Sequence, residues 1–195
     1  MNVVDRAKKI LMTPKTEWPA ISSETPAIRE IMLKYVLPLS LIPAVAQVIG
    51  DGIIGGAIGS WALRLALGKG IVTFLAAVAG VFIAAYVVDF LAPNFSSEKN
   101  LGRAVQLVAY SNTPGWIAGI LYLISALSIL VLLASLYGVY LLYIGMPYQM
   151  KTPQEKVVPY LLVAIIVVIV VYFILALILS PIVSGIFGAS MLRGM

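Results

Sequence analysis

The sequence predicts an all-α, polytopic membrane protein with five transmembrane helices preceded by amphipathic N-terminal helices. Hydrophobic residues make up 62% of the 195 residues and charged residues 11%, and the mean hydropathy is +1.05. A soluble domain needs about 25% charged residues to cover its surface. The apolar residues also form long runs, and residues 104–150 contain no charged side chain. Such a chain has to bury these runs in a lipid bilayer.

The first 34 residues are predicted to form a cytoplasmic amphipathic segment. Val3, Ala7 and Ile10 recur at helical spacing, and basic residues lie between them. This pattern is typical of a helix that lies on a membrane leaflet. Thr25 followed by Pro26 predicts the N-cap and first turn of a further helix that leads into the first span. The expected partners of this segment are the bilayer and its anionic lipid headgroups.

Residues 35–195 are predicted to form the transmembrane domain. A helix needs roughly 20 apolar residues to cross about 30 Å of hydrocarbon. Pro38 and Pro43 predict kinks in the first span, and Pro181 and Gly185 predict a break after the last. The uncharged run 104–150 suits two helices in a tight hairpin. The five expected spans are about 35–50, 70–90, 102–124, 127–146 and 157–180.

The stretch between the first two expected spans, 51–69, is rich in glycine. Gly52 and Gly56 lie four residues apart, a spacing that lets two membrane helices pack closely. The second interpretation is a reentrant or interfacial segment on the outer side, which we favour because the stretch is too short to cross again.

The orientation follows from the basic residues. In a five-span arrangement, ten of the 13 lysine and arginine residues fall on the side of the N-terminus and three on the other. This asymmetry predicts a cytoplasmic N-terminus and an extracytoplasmic C-terminus. The expected location is the cytoplasmic (inner) membrane of a prokaryote.

The composition excludes several classes of chemistry. The chain contains neither cysteine nor histidine, which removes thiol nucleophiles, disulfides, histidine-ligated metals and an imidazole base. We therefore expect no catalytic residue, cofactor or metal site, and no enzyme. The net charge of +5 comes from basic residues beside apolar runs, where topology and anionic lipid account for it. No nucleic-acid partner is expected.

A polar segment, Ser111, Asn112, Thr113 and Pro114, interrupts the longest apolar run. About ten residues into the third span, Asn112 lies near mid-membrane, so we expect its amide to be buried and hydrogen-bonded. Pro114 cannot bond to the carbonyl of Tyr110, and Ser111 or Asn112 is expected to compensate.

Two interpretations of this polar segment stay open. One is a packed kink at which Gly115 and Gly119 let a neighbouring helix approach closely. The other is a site for a substrate or an ion.

Two further features are candidates for a functional site. Asp89, at the end of the second span, is either a carboxylate solvated at the interface, a cation or proton site, or a partner of Arg103. Tyr137, Tyr140 and Tyr143 recur every three residues in the fourth span. Core packing is favoured for these tyrosines over an aromatic ligand cage.

Three stretches of the chain carry recognisable motifs. They are PKTEWPAISSE, VVDFLAPNFSSEKNLGRAVQLVAYSNTPGWIAGIL and LYGVYLLYIGMPYQMKTPQEKVVPYLLV. Together they resemble the Yip1 family, in its prokaryotic branch. The resemblance covers about residues 10–180, and AYSxTP and LYGxYLLYxGxP are its most specific parts.

The resemblance implies five membrane helices, with the N-terminus in the cytoplasm and the C-terminus outside. Eukaryotic members of the family act in vesicle traffic with Rab-type GTPases. This chain lacks their long N-terminal domain, so no GTPase partner is carried over.

The favoured function is a non-enzymatic scaffold, interaction or membrane-organisation protein of the trafficking type. Its partners would be other membrane proteins or further copies of the chain. The alternative is a small transporter, channel or lipid-handling protein with a polar site around Asn112 and Asp89. A membrane enzyme ranks last, because the acidic residues form no recognised catalytic pattern.

Overall fold

The computed structural model describes residues 2–54 and 60–192, and side chains are placed for 2–52, 63–124, 126–174 and 177. This part of the chain is helical and contains no strand, which confirms the all-α class. The α-helices are α1 Val3–Met12, α2 Pro14–Ser22, α3 Ile28–Ile31, α4 Leu37–Ile49, α5 Ser60–Leu91, α6 Leu101–Ser111, α7 Thr113–Ala118, α8 Ser128–Gln149 and α9 Gln154–Leu192. Short π-helical turns occupy Met32–Val36 and Gly50–Ile54, and 3₁₀ turns occupy Ala92–Phe95, Gly119–Leu123 and Ser125–Leu127.

Four stretches in the described chain are long and apolar enough to cross a membrane. They correspond to the first, second, fourth and fifth expected spans, and they are Ile28–Gly52, Leu63–Phe95, Ser128–Gln149 and Gln154–Ile174. The first runs unbroken through Pro38 and Pro43, with a π-helical turn directly before Leu37. A π turn is one of the ways in which a helix absorbs a local disturbance without ending.

The third expected span, 102–124, is not one continuous helix. It consists of α6, α7 and a 3₁₀ turn, so the count of five spans is not confirmed. Every residue from 104 to 111 is buried, and a helix that is buried all round belongs to the centre of a bundle. Helix α6 packs against α5 on one side and α8 on another.

The boundary expected between the first two spans is wrong. Residues 60–69 belong to α5 rather than to a reentrant or interfacial segment. Gly52 faces this part of α5, where a Cβ atom on the glycine would lie 3.1 Å from the Cβ of Ala66. Its predicted partner in the glycine pair, Gly56, lies outside the described residues.

The break expected after the last span is also wrong. Helix α9 continues through positions 181 and 185 to Leu192. A proline costs a helix one hydrogen bond, but unwinding inside a bilayer exposes several backbone groups to hydrocarbon, so continuation is cheaper.

The N-terminal helices pack on the bundle. Ala7, Ile10, Trp18 and Ile21 are buried, so the apolar stripe of α1, expected to face lipid, is covered in part by protein. Helix α2 is not among the predicted elements. The next helix begins at Ile28, with residue 27 as its N-cap, and not at Pro26 as predicted.

The position of α1 along the bundle follows from one hydrogen bond. The hydroxyl of Tyr137 donates to the carbonyl oxygen of Leu11 at 2.9 Å. Tyr137 precedes Gln149, the last residue of α8, by 12 residues, or about 18 Å of helix. The end of α1 therefore lies alongside α8, well away from its C-terminal end.

Candidate functional site

The polar segment 111–114 forms the junction between two helices. Asn112 separates α6 from α7, and Pro114 occupies the first turn of α7, where its missing N–H costs no hydrogen bond. The hydroxyl of Thr113 donates to the Tyr110 carbonyl at 2.7 Å. Thr113, rather than the expected Ser111 or Asn112, therefore satisfies that carbonyl.

Asn112 is hydrogen-bonded, as predicted, but it is exposed rather than buried. Its Nδ2 donates to the Val108 carbonyl at 2.8 Å, so the side chain folds back on its own helix. Asn112 lines a cavity of about 270 Å³ between α5, α6, α8 and α9. It also lines a second cavity of about 100 Å³ between the α6–α7 junction and α8.

Two glycines that follow the polar segment, Gly115 and Gly119, bring neighbouring helices close to it. A Cβ atom on Gly115 would lie 2.9 Å from the Ser135 hydroxyl of α8. One on Gly119 would lie 2.5 Å from the Cβ of Pro43 in the first membrane helix. Both contacts agree with the packed-kink interpretation, since any larger side chain would force the helices apart.

Gly138 of α8 also lies very close to the polar segment, and it is not among the residues that the sequence analysis selected. A Cβ atom at this position would lie 2.5 Å from the main-chain oxygen of Ser111. The sequence does contain a hint of this contact. Ala134 and Gly138 are two small residues four positions apart, a spacing that favours close packing of membrane helices.

A second group of polar side chains joins the polar segment to the N-terminal helices. The hydroxyl oxygens of Tyr35 and Thr113 are 2.7 Å apart. The ring of Tyr35 meets that of Tyr110 edge to face, with centroids 4.8 Å apart. The guanidinium of Arg6 lies 5.7 Å from the centroid of the Tyr110 ring, within the range of a cation–π contact.

Arg6 connects this group to two carboxylates. Its guanidinium donates one hydrogen bond to Glu17 and one to Glu24. The side chain of Arg6 is 12% exposed and that of Glu17 10%. Burial alone would lower the pKa of Arg6, but the hydrogen bond to Glu24 and the charges of Glu24 and Glu17 outweigh it and raise that pKa. The guanidinium therefore stays charged.

We call these residues the Arg6 cluster: Arg6, Glu17, Glu24, Tyr35, Tyr110 and Thr113. In the sequence analysis Arg6 enters only through the count of basic residues that predicts the orientation. No sequence pattern marks Glu17 or Tyr35 as members of a site. The available signal was weak: Glu17 and Glu24 are two of the four acidic residues in an N-terminal segment that carries six basic residues.

Asp89 and Arg103 do not pair with each other. Arg103 donates through Nη1 to the carbonyls of Ser22, at 2.7 Å, and Ile21, at 3.4 Å. Its charge thus lies at the C-terminal end of α2, where a cation is favourable. Asp89 is 6% exposed, so it is not a solvated interfacial carboxylate. Its Oδ1 has no hydrogen-bond partner within the described chain.

The three regularly spaced tyrosines of α8, at positions 137, 140 and 143, separate into two groups. Tyr137 is half-buried and bonded to α1, and its ring lies 5.7 Å from that of Tyr140. Tyr140 and Tyr143 are 41% and 38% exposed, so the expectation of core packing is wrong for both. A three-residue spacing advances 300° around a helix, so these rings drift away from the core face.

The polar segment and the Arg6 cluster together contain hydroxyl groups, an amide and the buried ion pair of Arg6 with Glu17. Among the described residues, no set of three or more acidic side chains is placed to hold a metal ion. The Arg6 cluster joins segments from four parts of the chain, and the cavities beside Asn112 offer hydrogen-bonding groups without charge.

Comparison with known proteins gives one family. The Yip1 domain matches residues 8–190. The inner membrane protein YohC of Escherichia coli strain K12 is 27% identical over 144 residues, which cover 69% of this chain and 73% of YohC. YohC of strain O6:H1 gives the same values. No solved structure matches this chain significantly.

Proposed function

Because this chain belongs to the Yip1 family, we propose that it is a non-enzymatic membrane-organising protein that acts by binding other membrane proteins or further copies of itself. The observation that carries this proposal is the Arg6 cluster. Its charged and hydroxyl groups are used to join α1, α2, the first membrane helix and the α6–α7 junction. These contacts hold the N-terminal helices on the bundle, and Arg6, Glu17 and Glu24 also line a cavity of about 220 Å³.

The cavities support a scaffold over a channel or transporter. The larger cavity, about 270 Å³, is lined mainly by alanine, valine, leucine and isoleucine side chains. The smaller, about 100 Å³, has room for a few water molecules. An ion crossing at this depth would need charged or carbonyl groups to replace its hydration shell. Among the described residues, no charged side chain lines either cavity.

The outer surface offers apolar area for a partner. Phe82, Tyr86 and Phe90 recur every four residues on α5 and are 43%, 63% and 62% exposed. Four residues advance slightly more than one turn, so the three rings form one ridge. In membranes such a ridge contacts either lipid or a neighbouring helix, and aromatic side chains are common anchors of interfaces.

We also propose that the N-terminus lies in the cytoplasm. Because the end of α1 lies alongside the middle of α8, the lysine side chains of α1 and α2 would extend towards the leaflet surface to contact anionic headgroups. Lys8, Lys9 and Lys15 are exposed, and each basic residue near an anionic leaflet contributes about 1 kcal/mol to membrane attraction. Salt screens this attraction, so the contact between these helices and anionic vesicles should weaken as ionic strength rises.

Crosslinking in the native membrane tests the main proposal. A photoreactive amino acid at Tyr86 should give a discrete crosslinked species, either with a second copy or with one other membrane protein. The matched control is Val170 of α9, 49% exposed on a different helix, where we expect only lipid adducts.

The same protein in proteoliposomes should show no flux of ions or small solutes above empty vesicles. Substrate flux that is abolished by Asn112→Leu would contradict the scaffold and favour a transporter. Many nonspecific crosslinks at both Tyr86 and Val170 would show that Tyr86 does not lie in a specific interface, and would also contradict the scaffold proposal.

A further inference from the structure

Two cavities share Asn112 and Leu142 as lining residues. The larger lies at the depth of the hydrocarbon core, because Gly80, which lines it, is next to the midpoint of the span Leu63–Phe95. Its other walls come from α6, α7, α8 and α9. Among the described lining residues, only Tyr172 carries a hydroxyl, and it packs against Gly80.

The larger cavity has the size and polarity for an alkyl chain. Its volume of about 270 Å³ exceeds the roughly 150 Å³ of an apolar cavity that stays dry and accepts benzene. The cavity therefore has room for part of an alkyl chain. The bilayer around it supplies alkyl chains at high concentration.

The smaller cavity has unused hydrogen-bonding capacity. Ser111 is 2% exposed, and its Oγ has no hydrogen-bond partner in the part of the chain that the structure describes. The Ser135 hydroxyl donates to the Val131 carbonyl and keeps its acceptor lone pairs. Asn112 uses Nδ2 on Val108, and its carbonyl oxygen adds further acceptor capacity. Donors and acceptors are thus both present, and charge is not.

From this combination we propose that the two cavities together bind a neutral single-chain amphiphile. Its alkyl chain occupies the larger cavity, and its hydroxyl or carbonyl oxygen hydrogen-bonds to Ser111 and Asn112. A carboxylate or a phosphate is disfavoured, because no cationic side chain among the described residues lines either cavity and an unpaired buried ion is costly. The site does not depend on the scaffold function, which can hold or fail separately.

Photolabelling of the full-length protein in nanodiscs tests the site. The probe is a long-chain primary alcohol that carries a diazirine on its chain. We expect the label on α5 between positions 76 and 88 and on α9 between positions 161 and 172. Unlabelled dodecanol should compete, whereas dodecane and ionised dodecanoate should compete at least about tenfold less well, the ratio that about 1.4 kcal/mol gives.

Two variants with matched controls locate the interactions. Ser111→Ala removes the buried hydroxyl and should reduce labelling about three- to tenfold, the ratio that one hydrogen bond gives. Ser40→Ala, at a serine that is also buried but bonded to Leu37 and absent from the lining of both cavities, should leave labelling unchanged. Ala164→Leu fills the larger cavity and should abolish labelling there, while Val163→Leu, on the exposed face of α9, should not.

Three results would overturn the proposal. Label spread over the outer faces of α5 and α9 without competition would mean that the cavity is not occupied by the probe. Equal labelling by a diazirine phospholipid, with equal competition, would assign the cavity to bulk lipid chains and remove the role of the hydroxyl. Unchanged labelling of a correctly folded Ser111→Ala would do the same. If Ala164→Leu does not fold, the Ser111 and Ser40 variants still decide the outcome.

Discussion

The hydroxyl groups of Tyr35 and Thr113 lie 2.7 Å apart in the buried centre of the protein, although 78 residues separate them in the sequence. The same Thr113 hydroxyl also donates to the Tyr110 carbonyl. One side chain thus bonds to the Tyr110 carbonyl and joins the first membrane helix to the α6–α7 junction. Its hydrogen atom goes to Tyr110, so Tyr35 is the donor in the contact with Thr113.

Thr113→Val should destabilise the protein by about 1–3 kcal/mol, because the buried Tyr35 hydroxyl loses its hydrogen-bond partner while the side-chain shape is kept. Thermal unfolding in detergent, followed by tryptophan fluorescence, measures the loss. Thr16→Val is the control, since Thr16 is exposed and its hydroxyl bonds only to the nearby Thr13 carbonyl. Equal melting temperatures for Thr113→Val and the wild type would contradict the assigned role.

Arg6→Gln should release the N-terminal helices from the bundle. Removing the cation leaves Glu17, whose side chain is 10% exposed, without its charge partner, and breaking such a pair costs about 3–5 kcal/mol when it is fully buried. Limited proteolysis of residues 2–24 should accelerate. Lys9→Gln is the control, because Lys9 and Asp5 form an exposed pair of small worth. Faster cleavage in both variants would show that the ion pair is not what holds these helices.

Gly138→Ala should destabilise the contact between α8 and α6. The new Cβ would lie 2.5 Å from the Ser111 carbonyl oxygen, and overpacking of this kind costs about 1–3 kcal/mol. Gly68→Ala is the matched control on α5, where a Cβ meets nothing within 4 Å. That variant should gain up to about 1 kcal/mol from helix propensity. A Gly138→Ala protein as stable as Gly68→Ala would rule out the close approach.

Asn112→Leu should change thermal stability by well under about 1 kcal/mol. Asn112 bonds to its own helix, at Val108, and even hydrogen bonds between membrane helices average only about 0.6 kcal/mol. The expected drop in melting temperature is therefore smaller than that of Thr113→Val, measured side by side. The opposite ranking would make Asn112, rather than Thr113, the structural centre of the polar segment.

Reporter fusions after residue 195 test the orientation. A periplasm-active reporter should be active there, and a cytoplasm-active reporter should be active at the N-terminus, because the basic residues are biased ten to three towards the N-terminal side. Cytoplasmic activity at both ends would mean that the broken segment α6–α7 does not complete a crossing.

Composition and the lengths of the apolar runs determined the class of this protein without any structure. A chain with 62% hydrophobic residues, arranged in runs long enough to span a bilayer, can satisfy its backbone there as helices, whose hydrogen bonds all lie within the segment. Four stretches that correspond to expected spans are confirmed as long apolar helices. The AYSNTP stretch also marks, in the sequence alone, the place where a membrane helix is disturbed.

Tertiary structure alone decided how the polar groups are used. Arg6 and Glu17 are ordinary in the sequence, and they become a buried pair only because α1 and α2 fold back against Tyr110. Asp89 and Arg103 are close in the sequence, but α2 places its terminal carbonyls beside Arg103. Local spacing reports the periodicity of a helix, whereas the partner of a long polar side chain depends on which other helix packs against it.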